Sequence, residues 1–184
     1  AWLRQGEVET QADKVAEWSS EILKHEIDGF RKLTWYKSPS LFLPKLKEGF
    51  ARAGVKFAIV RTPKGCSASG AVRILADDTP HIQLSFRYLS DDQFWFSLFH
   101  EIGHLLLHFD KIPILENTDL DEQVIVPMMY QEELIDLHTS KSIIIDFAKK
   151  VGVAPGLIVG QLQHSGIIRY NQMQHLKRRY RWVN

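Results

Sequence analysis

A single cysteine, Cys66, excludes any internal disulfide in this chain of 184 residues. It sits in Gly65-Cys66-Ser67-Ala68-Ser69-Gly70. That small-residue loop reads as a place for a packing thiol rather than a nucleophile. One unpaired thiol fits a reducing compartment, and a cytoplasmic location is expected. No stretch approaches the ~18 consecutive apolar residues that a bilayer span needs, so no membrane partner is expected. No charged segment followed by an apolar one opens the chain, which argues against a secretory signal. The chain begins at Ala1 and runs straight into a polar helix, as part of a longer or trimmed chain would. Net charge is only +1, so no global field recruits nucleic acid or membrane. The one basic cluster, Lys177, Arg178, Arg179 and Arg181, reads as the solvated side of a last helix. No glycine-rich phosphate loop follows a strand, which excludes a doubly wound nucleotide fold. Internal repeats and low-complexity tracts are absent.

What is present is ordinary globular composition, 45 % hydrophobic and 24 % charged. The length suits one domain, or one with a small appendage. Residues 7–36 carry an imperfect 3.6-residue apolar stripe and predict a helix. Ser38-Pro39-Ser40 stops it and opens a second helix over 41–53, ended by Gly54. Residues 55–61, 71–76 and 81–86 read as strands, the last two joined by Asp77-Asp78-Thr79-Pro80. In the third, Ile82, Leu84 and Phe86 alternate with Gln83 and Ser85, which predicts one buried face. Ser90-Asp91-Asp92 starts a helix running to about Phe109. An acidic irregular stretch, 110–127, precedes helices over 140–151, 155–163 and 166–179. The expected class is α+β with a small three-stranded sheet segregated from the helices. The expected divisions are an N-terminal helical segment (1–38), a core (39–136) and a helical C-terminal subdomain (137–184).

The chemistry concentrates in His100-Glu101-Ile102-Gly103-His104. Four-residue spacing puts both imidazoles on one helix face, where they can share a metal ion. Glu101 beside them can reach a water on that ion, the zinc-peptidase arrangement of two ligands and a general base. Phe94-Trp95-Phe96-Ser97-Leu98-Phe99 and Leu105-Leu106-Leu107 are apolar enough to bury such a helix. Gly103 is costly in mid-helix, by about 1 kcal/mol against Ala, unless a close backbone approach repays it. The competing reading is a buried helix with two satisfied histidines. His81, Arg87 and Tyr88 precede the helix, as cleft lining or as structure.

A third ligand is not evident from spacing. The third His of the metzincin pattern would fall at Asp110, which rules that class out. His108 continues the row but lies a full turn beyond His104 and suits a helix end better. Glu116, Asp119, Asp121, Glu122, Glu132, Glu133 and Asp136 remain, and one such acid would complete a site of two His and one carboxylate.

Several blocks together resemble the ImmA/IrrE metallopeptidase domain: Gly54-Val55, Ser69-Gly70-Ala71, Ile82 to Tyr88, Asp92, Phe94-Trp95-Phe96 and His100 to His108. Phe147-Ala148, Val151 to Gly156, Val159 to His164 and Arg179-Tyr180 resemble the branch found in HigA-like antitoxins and repressors. There the peptidase-like domain follows a Cro/C1-type helix-turn-helix domain, and Ala1 to Glu7 resembles the segment just after it. The resemblance implies a zincin-like, gluzincin-type fold holding Zn2+, with His100 and His104 as ligands and Glu101 as catalytic base. It also implies a third ligand, an acid in a Glu-Ala-Asn-x-Phe-Ala helix leading to a Leu-Ile-Pro end. Val124-Ile125-Val126-Pro127 resembles that end and Asp121-Glu122-Gln123 the approach to the helix, but the portion between is missing. Either the protein has lost it or the sequence above lacks it. The second is preferred, because a clean deletion would remove a buried helix beside the site. Glu122 is the nearest acid and the expected third ligand.

The function expected is a zinc-dependent endopeptidase acting on a protein such as a transcriptional repressor, within a stress-response, phage or toxin–antitoxin regulator. The alternative is a non-proteolytic regulatory domain that binds a toxin, a ligand or its own copy as a homodimer. DNA contact is expected only through an N-terminal helix-turn-helix domain outside this chain. Ala148, Gly152 and Val153 have helix-turn-helix-like spacing, yet residues 155–161 offer no Arg, Lys or Asn to read base edges.

Overall fold

The computed structural model describes residues 1–107, 109, 126–127, 130–137 and 139–182. Among these are seven α-helices and a three-stranded mixed sheet, an α+β arrangement. In chain order they are α1 (Trp2–Glu9), α2 (Ser20–Leu33), α3 (Pro39–Arg52), β1 (Lys56–Ile59), β2 (Gly70–Ile74), β3 (Pro80–Leu84) and α4 (Asp91–Leu107). Then come α5 (Gln131–Ile135), α6 (Lys141–Val151), α7 (Pro155–His164) and a 3-10 turn at Gln174–Leu176.

The sheet order is β1-β3-β2, with β3 parallel to β1 and antiparallel to β2. Side chains alternate between two layers, as a pleated sheet requires. Phe57, Val72, Ile82 and Leu84 join the main core with α4 residues such as Leu98 and Ile102. Ala58 and Val60 face the other way and pack with Trp2 of α1. Aromatic contacts tie the helices to this frame. Phe30 of α2 meets Phe50 of α3 at 4.8 Å, and Phe50 meets Phe57 of β1 at 4.9 Å. Phe42 of α3 packs on Trp95 of α4 at 5.0 Å.

Three expectations are corrected. The helix predicted over 7–36 is two helices separated by a non-helical segment. Thr10 ends α1, its hydroxyl donating back to the Gly6 carbonyl at 2.9 Å. Ala16 and Ser19 then donate their amides to the carbonyls of Ala51 and Ala53, and Ser19 caps α2. A continuous stripe could not show that these backbone groups bond to α3 instead of to one another.

The second correction concerns β3, which is buried on both faces rather than one. The polar alternation of Gln83 is real, but α1 covers it. Gln83 donates to the Trp2 carbonyl at 2.8 Å, and the Trp2 indole donates to the Val60 carbonyl at 2.8 Å. His81 is enclosed on this same side, near Gly6, not beside a cleft. Burial there, helped by the Arg73 charge, pushes its imidazole down to about 4.

The third concerns the last helix, predicted over 166–179. Gly166 and Met173 adopt left-handed backbone, and the chain then runs extended, bridging Arg179 to Ser90. Two of its basic residues are interior anchors and not a solvated face. The Lys177 side chain is 8 % exposed and pairs with Asp92 at 2.6 Å, and Arg178 donates to the Thr34 carbonyl at 2.8 Å. Turns within the segment, such as Gln172 donating its amide to the Arg169 carbonyl at 2.9 Å, and bonds to other elements take the place of a helical ladder.

Between α6 and α7 the chain turns at Gly152, whose φ of +85° is the left-handed cap that glycine adopts without strain. Its amide bonds the Ala148 carbonyl at 2.9 Å, and Pro155 opens α7. From Gly156 to Gln163 every residue of α7 except Gly160 is buried.

The covering of β3 by α1 depends on Gly6. A Cβ there would lie 1.9 Å from Gln83 Oε1, and Gln83 is buried and held by Trp2. Gly6→Ala is therefore expected to destabilise the fold by about 1–3 kcal/mol, read as a lower denaturant midpoint in an unfolding titration.

Candidate metal centre

Helix α4 is deeply enclosed, with Trp95, Leu98, Phe99 and Ile102 all fully buried. It packs against β2 and β3 on one side and against α7 on another. This fixes its azimuth, and so the direction of the residues at 100, 101 and 104.

The Nε2 atoms of His100 and His104 lie 2.9 Å apart, their rings nearly perpendicular with centroids 4.4 Å apart. Two nitrogens each about 2.0–2.1 Å from one zinc ion stand on the order of 3 Å from each other. The pair thus fits a shared cation with little rearrangement. His104 is 6 % exposed and His100 half-buried, so one imidazole is held in the wall and the other borders solvent. Phe96, one turn earlier, stacks on the His100 ring at 6.5 Å and 16°.

Glu101 is also only 6 % exposed. It packs against the start of β2, where a Cβ on Gly70 would stand 2.5 Å from Glu101 Oε1. A glycine inside a strand often marks such a close approach. Glu101 thus packs at close range on β2, one residue after His100 in the same helix.

The start of α4 is anchored by two buried acids that capping rules would have left in solvent. Asp91 Oδ1 accepts from the amides of Asp92 and Arg178, each at 2.9 Å. Asp92 Oδ2 takes Lys177 Nζ at 2.6 Å, and that ammonium also reaches Gln163 Oε1 at 2.5 Å. Gln163 in turn donates to the carbonyls of Tyr170 and Gln172. Two glycines of α7 make room for the acids. A Cβ at Gly156 would meet Asp91 Oδ2 at 2.6 Å, and one at Gly160 would meet the Asp92 Cβ at 2.8 Å.

Of the other candidates, Glu122, His108, Glu116, Asp119 and Asp121 lie outside the described residues. Glu132, Glu133 and Asp136 are exposed on or just after α5, and Glu133 pairs with Lys150 at 2.5 Å. Among the described residues, no group of three or more His, Cys, Asp or Glu could hold a metal. Arg87 and Tyr88 are exposed, the guanidinium lying over the phenol ring at 5.0 Å. Cys66 is half-buried in a turn where its amide bonds the Pro63 carbonyl. Phe96 stood out in the sequence only as part of the apolar flank before His100. Lys177 and Gln163 carried no signal, because their partners are distant in sequence.

The described helices include none long and apolar enough to cross a membrane. Helices around a small three-stranded mixed sheet are an α+β architecture that fits a metallopeptidase-like domain. Residues 55–135 match the Peptidase_M78 family model, the IrrE N-terminal-like domain, which supports the ImmA/IrrE family over that segment. No curated protein and no solved structure matches the chain.

Two buried groups give opposite pH dependences. Burial raises Asp91 from 3.8 to about 6, so the folded state holds its proton more tightly than the unfolded one. Its contribution is full below pH 3.8 and is lost as pH rises to about 6, by up to about 3 kcal/mol. His81, lowered from 6.5 to about 4, favours the folded state above pH 6.5 and loses that contribution as pH falls to about 4. Removing the falling component with Asp91→Asn should make stability rise more steeply with pH between about 4 and 6. Unfolding midpoints measured across that window check it.

Proposed function

We propose that the chain is a zinc-dependent endopeptidase domain acting on a protein, with a transcriptional repressor as the favoured substrate class. The observation that carries this reading is the convergence of His100 Nε2 and His104 Nε2 at 2.9 Å beside the buried Glu101, inside the segment that matches the family. His100 and His104 hold the metal, and an acid completes the set, with Glu122 the nearest in sequence. Zinc supplies a Lewis acid that lowers the pKa of a bound water toward neutrality.

The chain's own residues then do the proton work. Glu101 takes a proton from the attacking water and returns it to the leaving amine nitrogen. Packing against Gly70 holds that carboxylate in one place, so it need not be reorganised at each turnover. The enclosure of α4 keeps the two imidazole donors in register.

The alternative is a domain of the same fold that keeps the metal and binds a toxin or its own copy without cutting. Metal analysis of the purified protein, with His104→Ala and Glu101→Gln beside it, separates these. About one zinc per chain is expected, lost in His104→Ala and retained in Glu101→Gln. Proteolysis of a bound repressor is expected to fall about 10²–10⁴-fold in Glu101→Gln. A chain that takes up no zinc, or a Glu101→Gln protein that still cleaves, would sink the peptidase reading. Stoichiometric zinc with no cleavage of any bound protein would select the alternative.

A further inference from the structure

Acidic residues are unevenly placed along the chain. No Asp or Glu occurs in residues 29–47, 79–90 or 147–184, although the whole chain carries 22 of them. The fold brings these three acid-free stretches together. Arg178 donates to the Thr34 and Tyr36 carbonyls just beyond α2. Arg179 bridges to Ser90, and its guanidinium donates to the Tyr88 carbonyl at 3.5 Å. The Tyr180 amide bonds the Leu89 carbonyl at 2.7 Å, and the Trp182 ring meets Phe86 edge-on at 6.0 Å. The end of α2, the loop between β3 and α4, and the C-terminal segment thus form one surface.

Its exposed side chains are of two kinds. Lys37, Arg87, Arg179 and Arg181 are exposed cations, and among the described residues no carboxylate pairs with any of them. Trp35, Tyr36, Tyr88 and Trp182 are exposed rings, with Tyr88 at 50 %. The Arg87 guanidinium lies over the Tyr88 ring at 5.0 Å. Unusual backbone brackets this pair, for Phe86 and Leu89 on either side have φ of +52° and +51°. Bulky residues rarely adopt that region, and such strain concentrates at functional sites.

We infer that this surface binds single-stranded DNA. Unpaired bases present flat faces to the rings, and the phosphates between them present charge to the cations. A duplex keeps its base faces stacked inside and leaves the rings without partners. An acidic peptide pairs with the cations and offers nothing flat to the rings. Stacking and phosphate pairing need no 2′-hydroxyl, so DNA meets every group on the surface. A net charge of only +1 does not prevent a local field here, because the acids lie in other segments.

The test is fluorescence anisotropy of a labelled oligothymidylate of about twelve nucleotides, titrated with the full chain. Saturable binding is expected, with log K falling against log salt at a slope of about −2 to −3, or about −0.7 for each phosphate met by the four cations. A duplex of the same length should bind at least about fivefold more weakly, and an oligo-Glu peptide at least about tenfold more weakly. Tyr88→Ala should cost about tenfold in affinity with the salt slope unchanged. Arg181→Ala should lower the steepness of that slope by about 0.7. No binding, a slope near zero, or a duplex or Glu peptide that binds as tightly as the single strand would overturn the inference. So would full affinity in both variants. The three probes on the unaltered chain decide the matter even if a variant does not fold. Neither zinc uptake nor cleavage enters these readouts, so failure here and failure of the peptidase reading are told apart.

Discussion

Helix α4 carries Asp91, Asp92, Glu101 and His104 into the interior, and holding the two acids at its start organises much of the surrounding structure. An ionisable group taken out of water must be neutralised, paired or hydrogen-bonded. At the N-terminal end this is done by the extended C-terminal segment, through the Arg178 amide and the Lys177 ammonium. That segment is itself held by Arg178 on the end of α2 and by Tyr180, whose amide bonds the Leu89 carbonyl and whose ring packs on Phe42 and Phe94. Residues nearly ninety positions apart thus fix where α4 begins, and where it begins sets where His100 and His104 point.

Close approach is the second constraint. Gly70 lets β2 lie against Glu101, while Gly156 and Gly160 let α7 lie against the two acids. Each of these glycines works by lacking a Cβ. A methyl at any of them would meet a carboxylate residue that has other partners or neighbours to keep. The helix is therefore gripped on two sides at van der Waals range, which suits a site whose donor atoms need sub-ångström placement. Part of this grip comes from outside the matched segment 55–135, since α7 and the C-terminal segment both follow it.

The elements with strong local signals were legible in the sequence. Helix α4, α3, α6 and α7 and all three strands fall within a few residues of expectation, because apolar periodicity, Pro39, Gly152 and Pro155 act locally. The candidate pair His100 and His104 was legible for the same reason: helical spacing alone puts them on one face. The segment after Thr10 and the segment after Gly166 were not. In both, the sequence suggested a helix, but local turns and bonds to distant elements replace the helical ladder.

The sequence by itself determined the α+β class, the central two-histidine helix and the carboxylate next to it, all consequences of spacing within a single element. Only the tertiary structure decided which groups enclose that helix: α1 over the far face of the sheet, and α7 and the C-terminal segment over the near acids. The physical reason is that periodicity reports which face of an element is apolar. It does not report which other element will cover that face, and the covering is set by hydrogen bonds and ion pairs between residues far apart in the chain.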